Sequence, residues 1–187
     1  MNKLVKIIHV VERWCICLLD GINNKLFTDL YWKYLKRQGV VFGGRPNYIA
    51  SSAYFDGQGL HIISIGAETV ISREVMLLTH DYSIETALHS VGLGTAERSI
   101  HINEPISIGD NTFIGARASL LPGSSVGNNC IIGSCAVVKG HIPDNSIAVG
   151  CPARVIKKTS ESGRTIACEL GLEAEDTNIG FDTEKDI

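Results

Sequence analysis

The sequence has no apolar run long enough to cross a bilayer. Its most hydrophobic stretch, residues 4–19 (LVKIIHVVERWCICLL), is broken by Lys6, His9, Glu12 and Arg13, whereas a spanning helix needs about 20 apolar residues. The same stretch lacks a signal-peptide cleavage pattern. There is no long basic run and no interleaving of basic with aromatic residues, so nothing points to nucleic acid. Cysteines are present (Cys15, Cys17, Cys130, Cys135, Cys151 and Cys168), but none are paired at metal-ligand spacing. They are expected to be free, small, buried side chains in a reducing cytoplasm. Net charge is low as well, −3 over the whole chain, and unevenly spread. Residues 161–187 hold eight acids against Arg164 and Lys185, leaving 15 Lys/Arg against 12 Asp/Glu before them.

What is present suffices for one domain with an appendage, over 187 residues. Residues 1–38 are predicted to form two helices. Leu4, Ile7, Ile8, Val11, Trp14, Cys15 and Leu18 recur at helical spacing up to Asp20-Gly21. Leu26, Phe27, Leu30, Tyr31, Tyr34 and Leu35 make a second stripe. Lys36-Arg37 fall in its last turn, where cations suit the helix dipole, and Gly39 lies beyond. The segment is expected to pack on the main body. Its charge of +4 also admits peripheral association with an anionic membrane surface.

Residues 39–158 carry a repeat that decides the fold class. An aliphatic residue recurs every six positions through Ile102, Ile108, Ile114, Leu120, Val126, Ile132 and Val138. Glycine often follows it, and four places after it the residue is mostly small: Thr112, Ala118, Ser124, Cys130, Ala136. Upstream, Ile65, Ile71 and Leu77 keep the same spacing, and Ile49 with Phe55 echo it. A period of six matches neither a helix nor a simple strand. It fits a short strand and a corner, repeated three times per turn of a triangular solenoid whose stacked turns pair as parallel strands. The chain is therefore expected to be all-β apart from its ends. The register breaks once, over residues 81–101, and His80 stands at the root of this inserted loop. An insertion leaving a regular scaffold is usually functional. Residues 142–158 (IPDNSIAVGCPARVIKK) read as a closing strand and turn, and 159–187 as an acidic tail, flexible apart from a short helix near 165–175.

The runs IGDNTFIG, LLPGSSVG, IPDNSIAVGCPARVIKK and LLTHDYS resemble the hexapeptide-repeat acetyltransferases of the galactoside, maltose, nodulation-factor and polysaccharide O-acetyltransferase group. The resemblance covers roughly residues 49–158. It implies a left-handed parallel β-helix, a homotrimer with active sites between subunits, acetyl-CoA as cosubstrate with no metal, and a sugar or glycan hydroxyl as acceptor. It places the family's general-base histidine at His80, which suits imidazole chemistry near neutral pH. Asp56 falls where the family contributes a polar group to the acceptor site, and Glu85 is a candidate to orient His80 or bind acceptor hydroxyls. Ala116, after IG in FIGARAS, matches the amide that stabilises the thioester oxyanion. Ser134 in IIGSC lies on the implied pantetheine path, and Lys139, Arg154 and Lys157 fall at the nucleotide end. His61, His89, His101 and His141 read as surface or structural residues.

Two departures bear on the acceptor. Phe113 stands where the family often has Trp, and the helical segment 1–38 does not match the short N-terminal domain of galactoside-type members. This form looks more like the enzymes of cell-surface polysaccharide synthesis. Three alternatives keep the fold: acetylation of an amino-sugar nucleotide or of serine, a zinc enzyme, and a non-catalytic trimer. The zinc enzyme would want a histidine where Glu85 stands.

Overall fold

A computed structural model of the chain describes residues 3–56, 59–93 and 99–172. Most of it is a three-sided coil of very short strands. The first face stacks Val41–Phe42, Ile63–Ile65, Ile106–Ile108, Ser125–Val126 and His141–Ile142. The second stacks Tyr48–Ile49, Val70–Ile71, Phe113–Ile114, Ile131–Ile132 and Ser146–Val149. The third stacks Tyr54–Phe55, Met76–Leu77, Ser119–Leu120 and Val137–Val138. Every neighbouring pair within these stacks is parallel, and the chain visits the faces in strict rotation. Arg154–Lys158 closes the second face by pairing antiparallel with Ser146–Val149.

The period of six is the geometry of this rotation. Ile65, Ile71, Leu77, Ile108, Ile114, Leu120, Val126, Ile132 and Val138 all point to the axis and are at most 3% exposed. The small residues four places on, Thr69, Thr112, Ala118, Ser124, Cys130 and Ala136, are equally buried, because each corner folds back toward the axis there. Ile102 departs from the expected register. It is only half-buried and pairs with Asp81 outside the coil, which resumes at Ile106. The insertion returns antiparallel to its own outgoing strand before the chain re-enters the coil, so the hexad count shifts.

The corners differ in chemistry. At the first corner, between faces one and two, Glu68, Asn111, Asn129 and Asn145 adopt φ of 48–57°, a conformation Asn tolerates better than most residues. Their neighbours form a ladder along the axis. Asp110 Oδ1 accepts from Ala67 N at 2.7 Å, Asn128 Oδ1 from Asp110 N at 2.8 Å, and Asp144 Oδ1 from Asn128 N at 2.8 Å. A second rung set runs from Asn111 Nδ2 to Asn129 Oδ1 at 2.9 Å and from Asn129 Nδ2 to Asn145 Oδ1 at 3.1 Å. The third corner is tight in the later turns but carries extra chain twice, in 56–62 and in 78–105.

Among the described residues four α-helices flank the coil, so the all-β label describes the coil alone. α1 (Lys3–Cys17) and α2 (Asn24–Gln38) form a hairpin; Asn23 Oδ1 caps α2 by accepting from Leu26 N, and Gly39 ends it in the left-handed region. α2 buries Phe27, Tyr31, Tyr34 and Leu35 against the first turns. The expectation that α1 also buries its stripe fails, since Ile7, Ile8, Val11 and Trp14 are 54–68% exposed. α3 (Ser83–Ser90) lies in the insertion, and α4 (Thr159–Leu170) follows the closing strand. The tail's helix thus starts earlier than 165, fastened where Thr159 Oγ1 donates to Asn129 O at 2.7 Å. The rest of the predicted tail, 173–187, and residues 94–98 of the insertion lie outside the described residues. All six cysteines are free as expected, but only Cys130 is buried; Cys17 is intermediate and the other four are exposed.

Candidate active site

Both extra segments of the third corner meet at one histidine. His80 leaves face three just after Leu77, in a two-residue strand (His80–Asp81) that pairs antiparallel with Ile102–Asn103 and closes the base of the insertion. Asp56 occupies the same corner one turn earlier. Its carboxylate is 1% exposed as a residue and contacts His80 Nδ1 through Oδ2. The same oxygen accepts from Thr79 N at 3.1 Å and from Thr79 Oγ1 at 2.9 Å. Thr79 is fully buried, and Gly59 packs so closely on it that a Cβ there would overlap its side chain. Gly59 is therefore seated on Thr79, and the Asp56 carboxylate is held between Thr79 and His80.

A carboxylate against Nδ1 calls for the proton on that nitrogen. The basic lone pair then sits on Nε2. His80 retains 24% side-chain exposure, enough to meet a ligand. Tyr82 adds a second support, edge-on to the His80 ring at 5.2 Å and 77° and itself tilted against His101 at 4.8 Å. Asp81 turns the other way and accepts from Ser83 N at 2.7 Å, at the start of α3. That bond, helped by the Ser83 side chain and the nearby Lys139 charge, holds the Asp81 carboxyl below its ordinary range.

The remaining sequence-predicted residues divide between corners. Ala116 and Ser134 come together at the second corner on successive turns: Cys135 N donates to Ala116 O at 2.9 Å, and Gly115 packs on the Ser134 amide with no room for a Cβ. They line a cleft of about 300 Å³ with Arg73, Glu74, Arg117 and Cys135. Arg117 Nε bonds Glu74 Oε2 at 2.7 Å along its rim. Arg154 continues this column, opposite Val149 in the closing strand, while Lys157 lies opposite Ile147 on the second face. Lys139 stands apart from them, on His80's corner directly after Val138 and within electrostatic reach of Asp81. Glu85, in the first turn of α3, accepts from Ser99 Oγ at 3.2 Å. Glu85 thus bonds within the insertion, and it is Asp56 that contacts His80 Nδ1.

His61 and His89 are exposed, His101 stacks on Tyr82, and His141 Nδ1 lies 2.8 Å from Ser125 Oγ. Thr79 and Tyr82 were missed in the sequence, although both flank His80 in LLTHDYS. Their contacts run to Asp56 and His101, more than 18 residues away in the chain, and no local period encodes them. A cavity of about 280 Å³ also lies next to this corner, walled by Arg13, Tyr31, Tyr34, Gln38, Phe55 and Leu60.

The two corners do not meet within one chain. Ala116 precedes the face-three strand Ser119–Leu120, whereas His80 follows the paired strand Met76–Leu77. The width of a face, roughly 15–20 Å for five or six extended residues, lies between them.

Residues 105–140 match the bacterial transferase hexapeptide (six repeats) family. The chain is 35% identical over 180 residues to a probable acetyltransferase of Mycobacterium tuberculosis, an alignment covering 86% of this chain and 56% of that protein. It is 27% identical over 121 residues to the galactoside O-acetyltransferase of Lactococcus lactis, covering 65% of this chain and 57% of that one. It thus spans little more than half the length of either relative. Among solved structures it superposes on a galactoside acetyltransferase in complex with coenzyme A, with a TM-score of 0.55, 18% identity and 83% of each chain covered.

Proposed function

Because the chain belongs to the bacterial transferase hexapeptide family, we propose that it is an acetyl-CoA-dependent O-acetyltransferase of a sugar hydroxyl, in cell-surface polysaccharide or glycoconjugate synthesis. It works as a homotrimer of left-handed coils with active sites between subunits. The observation that carries this reading is the contact of buried Asp56 with His80 Nδ1 beneath the inserted loop. The arrangement serves a proton transfer and has no evident use in a structural coil.

His80 Nε2 takes the proton of the acceptor hydroxyl as its oxygen attacks, and Asp56 keeps the ring turned and stabilises the cation that forms. Acetyl-CoA supplies the acetyl group as a thioester, whose thiolate leaves. The Ala116 N–H is aimed at the charge that develops on the carbonyl oxygen. The second-corner cleft beside Ala116 and Ser134 accommodates a thin, extended chain, and Arg154 beyond it offers a cation to phosphate. Lys157 extends that positive edge, and Lys139 supplies a cation from His80's side. The imidazolium returns its proton to the leaving sulfur, so no acyl-enzyme forms and the base is regenerated.

Because His80 and Ala116 stand on opposite edges of one face, a complete site needs His80 of one subunit against the second corner of its neighbour. The cavity beside Phe55 offers aromatic walls and the Arg13 cation to the acceptor, and Glu85 in α3 offers it a carboxylate from the insertion. Six free thiols suit a reducing cytoplasm. A CoA-release assay against nucleotide sugars, lipid-linked oligosaccharides, simple glycosides and their amino counterparts tests the reading. Release with a hydroxyl acceptor supports it. Release with amino acceptors alone overturns O-acetylation in favour of N-acetylation.

A further inference from the structure

α1 is mounted with its polar side toward the protein. The His9 carbonyl accepts from Tyr34 Oη at 3.4 Å, His9 Nδ1 lies 3.0 Å from Gln38 Nε2, Glu12 pairs with Arg37, and Arg13 Nη2 donates to Ser51 O at 3.1 Å. Ile16 is the buried apolar residue on this side. The opposite side is an apolar stripe: Ile7 59%, Ile8 55%, Val10 68%, Val11 54% and Trp14 68% exposed, extended past the helix by Leu18 at 54% and Ile22 at 80%. Turning the helix to bury this stripe would break all four polar attachments. Exposed apolar residues scattered singly are ordinary, but a contiguous stripe on one element marks an interface.

We propose that this stripe is a docking face for an anionic lipid bilayer. Charge selects this occupant. Residues 1–38 hold seven Lys/Arg and three Asp/Glu, and each of the three acids is engaged internally. Glu12 pairs with Arg37, Asp29 with Arg45, and Asp20 accepts from Tyr48 Oη and Ser51 Oγ. Lys3 and Lys6 belong to the helix itself, and Lys25, Lys33 and Lys36 to the helix beside it. A second copy of the chain would cover the apolar side chains but would bring the same excess of cations, whereas anionic headgroups neutralise it. No helix among the described residues is long and apolar enough to cross a membrane. At 15 residues, about 22 Å, α1 is suited to lie in the interface plane, with Trp14 at headgroup level. The proposal does not depend on the acetyl-transfer reading.

Flotation of the full chain with vesicles tests it. One set is phosphatidylcholine alone and the other contains about 30% phosphatidylglycerol, in about 0.1 M and about 1 M salt. A Trp32→Phe background leaves Trp14 as the emitting tryptophan. Binding to the anionic vesicles at low salt should exceed binding to phosphatidylcholine by at least ~10-fold, weaken at high salt, and shift Trp14 emission to the blue. The double variant Val11→Asp/Leu18→Asp should lose at least ~10-fold of that binding with its helical circular dichroism unchanged. Absence of binding, binding undiminished in the double variant, or a vesicle-independent assembly that the double variant dissolves would each overturn the proposal, the last in favour of a contact between copies. Should the double variant fail to fold, the Trp14 emission of the Trp32→Phe chain decides: a blue shift supports docking and an unchanged spectrum overturns it.

Discussion

The first and third corners of the coil are made by the same repeat and do opposite things. At the first corner Asp110, Asn128, Asp144 and the Asn111–Asn129–Asn145 column bond to one another turn after turn. The side chains of these two columns are spent on the corner itself. Among the described residues the third corner has no such ladder. Two turns carry extra chain, and Asp56 and Thr79 bond inward to hold one imidazole, that of His80, the proposed base. Regularity gives stability, and interrupting it at a single corner gives a place for chemistry. The two corners should therefore respond oppositely to substitution.

The largest expected effect is at the third corner. His80→Ala should lower kcat by ~10²–10⁴-fold in a CoA-release assay. Acetyl-CoA affinity and melting temperature should scarcely move, because the loss falls on proton transfer as attack develops. The first corner should show the reverse. Asn129→Ala removes an acceptor for Asn111 and a donor to Asn145 and puts alanine at φ 52°. A loss of about 1–2 kcal/mol in denaturant unfolding is expected, with kcat of the folded protein unchanged. Asn129→Gly should recover part of that loss, since glycine restores the left-handed backbone but not the bonds.

Arg154→Ala sharpens the contrast by testing the second corner. A weakening of acetyl-CoA by up to about tenfold is expected from a solvated phosphate contact, on the order of 1 kcal/mol, with acceptor KM unchanged. Calorimetry with CoA and dephospho-CoA checks it. The smallest effect concerns pH. The Asp81 carboxyl is held below its ordinary range, first by the Ser83 N–H. Its contribution is thus fully present above the ordinary carboxylate pKa, near ~4, and is lost as pH falls through the lowered value. Hydrogen exchange of α3 should rise on acidification below about pH 4, while the first-corner amides stay protected.

The coil was legible because its cause is local. Ile114, Leu120, Val126 and Ile132 each face the axis for the same reason, and six residues separate each from the next. His80 was legible as the residue at the break. The Asp56–His80 contact was not, because Asp56 was placed near the acceptor while its partner lies 24 positions on and the two meet only when turns stack. Ile102 misled the count, since an aliphatic at the right spacing can still belong to the returning strand of an insertion. The family match alone sets Lys139 at the nucleotide end, and only the rotation of faces shows that it stands on the third corner, after Val138 and near Asp81. The orientation of α1 was hidden for a different reason. Helical periodicity locates an apolar stripe but says nothing of which way it faces, and here the bonds of His9, Glu12 and Arg13 decide it.

In the proposed trimer, His80 of one subunit works on acetyl-CoA held at the second corner of the next. Mixing His80→Ala chains with chains blocked at that corner by Ser134→Trp, unfolding and refolding them together, and assaying CoA release tests it directly. Each variant alone should be inactive. If sites are shared, a one-to-one mixture of cyclic trimers should recover about a quarter of wild-type activity, since one site in three is intact in each mixed trimer and about three quarters of trimers are mixed. If each chain builds its own site, no intact site can form, and a mixture as inactive as its parents despite verified mixed trimers would contradict the account.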